Sequence, residues 1–231
     1  MKKNILLIGG SYGIGQGIAQ LLSKENHVIV ASRTADGVPP NCHHLPFDAT
    51  QDDVSDLDLP ESIDGLVYCP GSINLKPFRA LKPDAFRRDM EINLIGLVSV
   101  VQGILPRIKK AERSSLVFFS TVAVDLGMPF HTSVAAAKGA VEGFARALAA
   151  ELAPSVRVNV IAPSLTDTPL AGKLLATDEK KEKMAQRNPL KQVGQIEDLA
   201  SMAQFLIEDT GKWISGQVFH VDGGMSSLKV D

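Results

Sequence analysis

The chain has 231 residues, 45% of them hydrophobic and 22% charged, with a formal net charge of −2. That length supports one sizeable core and a single domain spanning 1–231, and the near-neutral balance gives no global drive toward nucleic acid or an anionic membrane. No apolar run reaches the about eighteen residues of a membrane span, the four residues before the first apolar run are too few for a signal peptide, and Cys42 and Cys69 read as free thiols of a cytoplasmic protein, without metal-ligand spacing.

Ile5-Leu6-Leu7-Ile8 is a continuous apolar run, the mark of a strand buried on both faces. Gly9-Gly10-Ser11-Tyr12-Gly13-Ile14-Gly15-Gln16-Gly17 follows at once and runs into the helical pattern Ile18, Ala19, Leu21, Leu22. A strand, a glycine turn and a helix N-terminus together form an anion site, because the backbone can approach a ligand and the free N–H groups favour a pyrophosphate. Further strands are expected at 27–32, 43–47, 65–69, 115–120, 156–161 and 217–221, and helices near 13–25, 50–57, 83–110, 132–152 and 195–208. Strands alternating with helices imply an α/β fold: one Rossmann-type, doubly wound parallel sheet with helices on both faces and ligands beyond the carboxyl ends of its strands. The Thr-, Pro- and Lys-rich stretch 164–194 interrupts the pattern and is expected to form a lid over the site.

With these elements in place, nearly the whole chain, about residues 4 to 225, resembles the short-chain dehydrogenase/reductase family. Ile8-Gly9-Gly10-Ser11-Tyr12-Gly13-Ile14-Gly15 resembles the family's glycine turn, and Phe47-Asp48-Ala49-Thr50 looks like the segment whose Asp meets the adenine. Tyr68-Cys69-Pro70-Gly71 keeps only the glycine of the family's Asn-Asn-Ala-Gly segment, and Asn93 matches the family's helix Asn. Arg157-Val158-Asn159-Val160-Ile161-Ala162-Pro163-Ser164 and the 214–224 segment resemble the family's last two signatures, with Thr166 and Thr168 on the nicotinamide side. The resemblance implies cofactor contacts at Gly9, Ser11, Tyr12, Gly13, Ile14, Gly15, Ser32, Arg33, Asp48, Ala49, Cys69, Gly71, Lys138, Pro163, Thr166 and Thr168.

A carboxylate at the end of the second strand would bind an adenosine ribose 2′-OH and repel a 2′-phosphate. This chain has Ser32-Arg33-Thr34 there: a hydroxyl donor and a guanidinium that can pair with phosphate. NADP is therefore the expected cofactor and NAD the alternative. Tyr12, where many NADP-preferring relatives carry a basic residue, speaks against NADP.

Family chemistry uses a Tyr and, four residues on, a Lys on the same helix face. Lys138 is present, but four residues before it stands Val134, which has no proton to give. The only tyrosines, Tyr12 and Tyr68, lie elsewhere, while Thr121 matches the family's Ser position. Asn93, Thr121 and Lys138 are thus the retained catalytic candidates, and His131 and Ser133 are candidate substitute acids, with Asp125 positioned to orient His131. Three readings stay open: a substitute acid, a slow reaction through Lys138 or an ordered water, or a nucleotide-binding sensor or scaffold without turnover.

The expected function is interconversion of a carbonyl and an alcohol by hydride transfer. Leu126, Met128, Phe130, Val134, Leu165 and Leu170 are the apolar candidates for the substrate pocket. Small residues along 132–152, among them Ala135, Ala137, Ala140, Ala145 and Ala149, together with the resemblance imply a homotetramer or homodimer.

Overall fold

The computed structural model describes residues 2–230. Seven strands form one sheet in the order β3-β2-β1-β4-β5-β6-β7, and every neighbouring pair is parallel. The strands are β1 (Asn4–Ile8), β2 (His27–Ser32), β3 (His43–Pro46), β4 (Gly65–Tyr68), β5 (Ser114–Phe119), β6 (Val156–Pro163) and β7 (Val218–Val221). The helices are α1 (Gly13–Leu22), α2 (Pro83–Met90), α3 (Gly96–Ile108), α4 (Ala123–Leu126), α5 (Thr132–Leu152), α6 (Asp178–Ala185) and α7 (Ile196–Ile207).

The continuous apolar runs exist because the sheet is covered on both sides. Leu6 and Ile8 of β1 join Leu66, Leu116 and Phe118 in a core shared with α3 and α5. Ile5 and Leu7 face the other way, into a second core with Ile18 and Leu22 of α1 and Leu199 and Leu206 of α7. The period-two pleat thus splits one apolar run between two cores.

Two expectations fail here. The helix expected at 50–57 is only a 3-10 turn, Val54–Asp56. Acidic side chains compete for the backbone donors: Asp48 Oδ1 accepts from Thr50 N (3.0 Å), Asp52 Oδ2 from Asp48 N (2.7 Å) and Asp53 Oδ1 from Ser55 N (2.8 Å). The single helix expected at 83–110 is α2 and α3 joined by a π-helical stretch, Glu91–Ile95, a widening often found at functional sites. Residues 83–108 are long and apolar enough to cross a membrane by composition, yet Leu97, Val100, Val101, Ile104 and Ile108 pack into the core on the sheet.

The excursion 164–194 leaves β6 and is tied shut at its base. Thr166 bridges to Gly194, Gly194 N donates to Leu165 O (3.1 Å) and Asp167 N to Gly194 O (2.8 Å). Between these ties lie a short turn, Pro169–Ala171, and α6, capped by Thr177.

Arg157 and Asn159 of β6 fasten the far end of the sheet. The Arg157 guanidinium donates to the carbonyls of Leu206 (2.7 Å), Ile214 (3.2 Å) and Glu208 (3.4 Å), satisfying acceptors at and beyond the end of α7. Fully buried Asn159 donates to Ile214 O (3.0 Å) and accepts from Gln217 N (3.1 Å), which holds β7 beside β6. Replacing Arg157 by Met should lower the unfolding free energy by about 1.5–3 kcal/mol, the range for hydrogen bonds from a charged donor; an unchanged urea midpoint would contradict this assignment.

Candidate functional site

A cleft of about 930 Å³ opens at the carboxyl end of the sheet. Its first wall is the turn between β1 and α1. Gly13 sits at φ +60°, a backbone region that side chains disfavour, and a Cβ on Gly15 would collide with the Gly9 carbonyl oxygen. The turn therefore packs tightly under α1, whose cap residue Tyr12 makes no side-chain cap bond and whose first turn carries no acid. The N–H groups there remain free for an anion. The base of the 164–194 excursion closes on this turn, with the Pro169 side chain 3.7 Å and Thr168 Cβ 3.9 Å from where a Cβ on Gly13 would stand.

The tip of β2 forms the second wall. Ser32 is buried; its Oγ donates to Thr34 O (2.8 Å), and the His44 ring nitrogen lies 3.1 Å from Ser32 O. Arg33 is exposed, lines the cleft, and pulls weakly on Asp48. The Asp48 carboxyl is held below its ordinary value chiefly by the Thr50 backbone N–H and also by the Thr50 hydroxyl. His44 was not singled out from the sequence, since an alternating His-His-Leu-Pro strand gives no sign of which neighbour it will meet.

The inner wall centres on Lys138. Its side chain is buried, and Nζ donates to Phe119 O (2.8 Å) at the end of β5. Burial brings its pKa down to about 8. The neighbouring Cys69 thiol is pushed up to about 12 by burial, so at neutral pH it is uncharged and offers no countercharge. Nζ has three donors; Phe119 takes one. Thr121 Oγ1 accepts from Ala123 N (3.3 Å) and keeps its own hydrogen for the cleft. Val134 stands in the wall beside them.

Gly9, Ser11, Tyr12, Gly13, Ile14, Gly15, Ser32, Arg33, Asp48, Ala49, Cys69, Gly71, Lys138, Pro163, Thr166 and Thr168 all line this one cleft, as do Thr121 and His131. Asn93 does not reach the surface of the cleft; it lies behind Gly71, its Oδ1 and Lys138 Nζ each 3.5 Å from where a Cβ on Gly71 would stand. Ser133 is displaced: it is 1% exposed, absent from the cleft wall, and its hydroxyl has no partner. The pairing of Asp125 with His131 is also overturned. Asp125 Oδ2 binds His220 Nε2 (2.8 Å) on β7, and His131 Nδ1 turns to Pro129 O (2.7 Å). Leu126 likewise points away, 40% exposed and outside the cleft, whereas Met128, Phe130, Leu165 and Leu170 line it.

Two residues not singled out from the sequence stand out. Ser72 lines the cleft and donates to buried Asp89 (2.7 Å). Asp89 stands one helical turn before Asn93, a spacing that could have drawn attention to it; Ser72 carries no such signal.

The comparisons agree with this architecture. A family model described as enoyl-(acyl carrier protein) reductase matches residues 9–226. The 3-oxoacyl-(acyl-carrier-protein) reductase FabG of Thermotoga maritima is 28% identical over 245 residues, covering 96% of this chain and 97% of the relative. The corresponding reductase MabA of Mycobacterium bovis is 29% identical over 233 residues, covering 97% and 93%. Among solved structures, a short-chain dehydrogenase/reductase of Brucella melitensis described as a glucose/ribitol dehydrogenase has a TM-score of 0.88 at 27% identity, covering 97% of this chain and 99% of that one. The chain belongs to the short-chain dehydrogenase/reductase family, and it is an oxidoreductase by that membership.

Lys138 carries a pH-dependent penalty of known sign. Its folded pKa lies below the ordinary lysine range, at about 8, so the penalty is full below that pH and vanishes as pH rises to the unfolded value. Lys138→Met should therefore be more stable than the parent at pH 7, with the difference shrinking toward pH 10. Urea unfolding at the two pH values checks this; a difference that does not change with pH would contradict the buried-amine assignment.

Proposed function

We propose that this chain is an NADP(H)-dependent oxidoreductase that interconverts a carbonyl and an alcohol, with Lys138 supplying the proton. The observation that carries this reading is the buried Lys138 amine in the wall of a cleft whose far end is the free N-terminus of α1. The residues fit the cofactor. Free N–H groups at α1 suit a pyrophosphate, and no acid stands at the tip of β2, where the exposed Arg33 suits a 2′-phosphate. A dihydronicotinamide held in the cleft supplies the hydride.

Hydride addition to a carbonyl carbon leaves charge on the oxygen, which must take a proton. Thr121 has a hydroxyl hydrogen to orient that oxygen. Lys138 has two N–H donors left after Phe119 is satisfied. With its pKa at about 8, the ammonium is both populated at neutral pH and a competent acid, since general acids work best near the operating pH. His131, on the outer rim with one nitrogen engaged by Pro129, is the alternative donor. The excursion 164–194 acts as the lid, and Met128, Phe130, Leu165 and Leu170 make the substrate end apolar. The active form is a homodimer or homotetramer.

Three outcomes follow. Arg33→Ala should weaken NADPH about 10- to 100-fold, the worth of a charged hydrogen bond, with little effect on NADH; equal losses in calorimetric titration would remove the NADP reading. The reductive kcat/KM should be flat below pH about 8 and fall above it as Lys138 deprotonates, and His131→Ala should preserve that profile. A profile that moves with His131→Ala assigns the proton to His131. Val134→Tyr should raise the rate by about 10²–10⁴, the value of a positioned acid. A parent that binds NADPH but turns over only after this change is a binding protein rather than an enzyme.

A further inference from the structure

Behind the cleft wall lies a buried polar cluster that the reaction described above does not use. Ser72 follows Gly71 in the wall itself. Its Oγ donates to Asp89 Oδ1 (2.7 Å) and accepts from Asn93 Nδ2 (3.0 Å). The second hydrogen of Asn93 Nδ2 goes to Asp89 O (2.7 Å). That last bond fixes the orientation of the amide, because only the nitrogen can donate to a backbone carbonyl. Asp89 is 3% exposed and Asn93 1%, and the remaining oxygen of each, Asp89 Oδ2 and Asn93 Oδ1, has no partner.

Counting valences shows what this wall can do. A serine hydroxyl has one donor and two acceptor positions. The Ser72 donor is spent on Asp89 and one acceptor on Asn93, which leaves a single lone pair. The free valence left on Ser72 is therefore an acceptor, as is Asn93 Oδ1. A protein interior rarely holds an unpaired acceptor without a use, because it is unfavourable. Around it the substrate end of the cleft is apolar, with Ile73 and Leu75 following Ser72 and Met128, Phe130 and Val134 also in the wall.

We propose that Ser72, held by Asp89 and Asn93, is a specificity-determining residue that accepts a hydrogen bond from a substrate hydroxyl next to the reacting carbon. The substrate class is then a vicinal diol and the corresponding α-hydroxy ketone on an otherwise apolar skeleton. A plain ketone or alcohol leaves the Ser72 lone pair unpaired and binds more weakly. Asp89 is a positioning residue: it takes the hydroxyl hydrogen and so commits Ser72 to accepting. The inference rests on the oxidoreductase reading of the cleft.

The test is calorimetric and needs no turnover. The protein is first titrated with NADP+, which judges the cofactor reading by itself. The NADP+-saturated protein is then titrated with octane-1,2-diol and with octan-2-ol. The diol should bind about tenfold more tightly, the worth of one ordinary hydrogen bond. Asp89→Leu and the double variant Ser72→Ala with Asp89→Leu should lose that preference. Replacing a buried polar group by an apolar one of similar volume is often tolerated, and an unchanged melting temperature confirms folding. Asp89→Asn, which keeps an acceptor for the Ser72 hydrogen, should retain the preference, a rescue that a purely structural role of Asp89 does not predict. Equal affinity for the two alcohols in the parent, or a preference that survives in the double variant, would overturn the proposal.

Discussion

One hydrogen bond organises the working edge of this sheet: the Lys138 ammonium, buried, donating to the carbonyl of Phe119 at the end of β5 (2.8 Å). It joins the second turn of α5 to the strand tip from which Ser120 and Thr121 continue. A few residues away, Ser120 donates to Glu142 of the same helix (2.5 Å), so the β5 end and α5 are fastened at two successive turns. Desolvation makes the amine a weaker base than a surface lysine. The same burial that strains Lys138 electrostatically thus gives it a pKa of about 8, where it can trade protons.

The cleft divides chemically along its length. At one end the wall is largely backbone, the glycine turn and the open N-terminus of α1. At the other it is side chains: Lys138, Thr121, Ser72 and apolar groups from the 164–194 excursion. The π-helical stretch between α2 and α3 matters to this second half. It carries Asn93 next to Gly71 and sets Asp89, on the last turn of α2, against Ser72. Position 134 carries valine rather than a phenol, and Lys138, Thr121 and Ser72 are polar groups set in an otherwise largely apolar wall at this end.

Much of the fold was legible because its causes are local. Apolar runs at β1, β4 and β5 announce strands covered on both faces, and the glycine turn announces its own backbone geometry. The helix expected at 50–57 was not legible as a turn, since three Asp side chains bonding nearby backbone N–H groups decide it. The site was legible where it follows the glycine turn and the Lys138 helix. It was opaque where partners are far apart in sequence: Asp125 meets His220 of β7, not the nearby His131, and Ser72 meets Asp89 from another element. Ser133 looked available beside Val134, but its face of α5 turns into the packed interior rather than the cleft.

Every role proposed for Lys138, Arg33 and Ser72 requires that the cleft be a site for NADP(H). The most direct measurement is a calorimetric titration of the purified protein with NADPH and, separately, NADH at one pH and salt concentration. Micromolar binding of NADPH, at one site per chain, and distinctly weaker binding of NADH are expected. Failure of both to bind, or NADH binding as tightly as NADPH, would contradict the NADP(H) assignment.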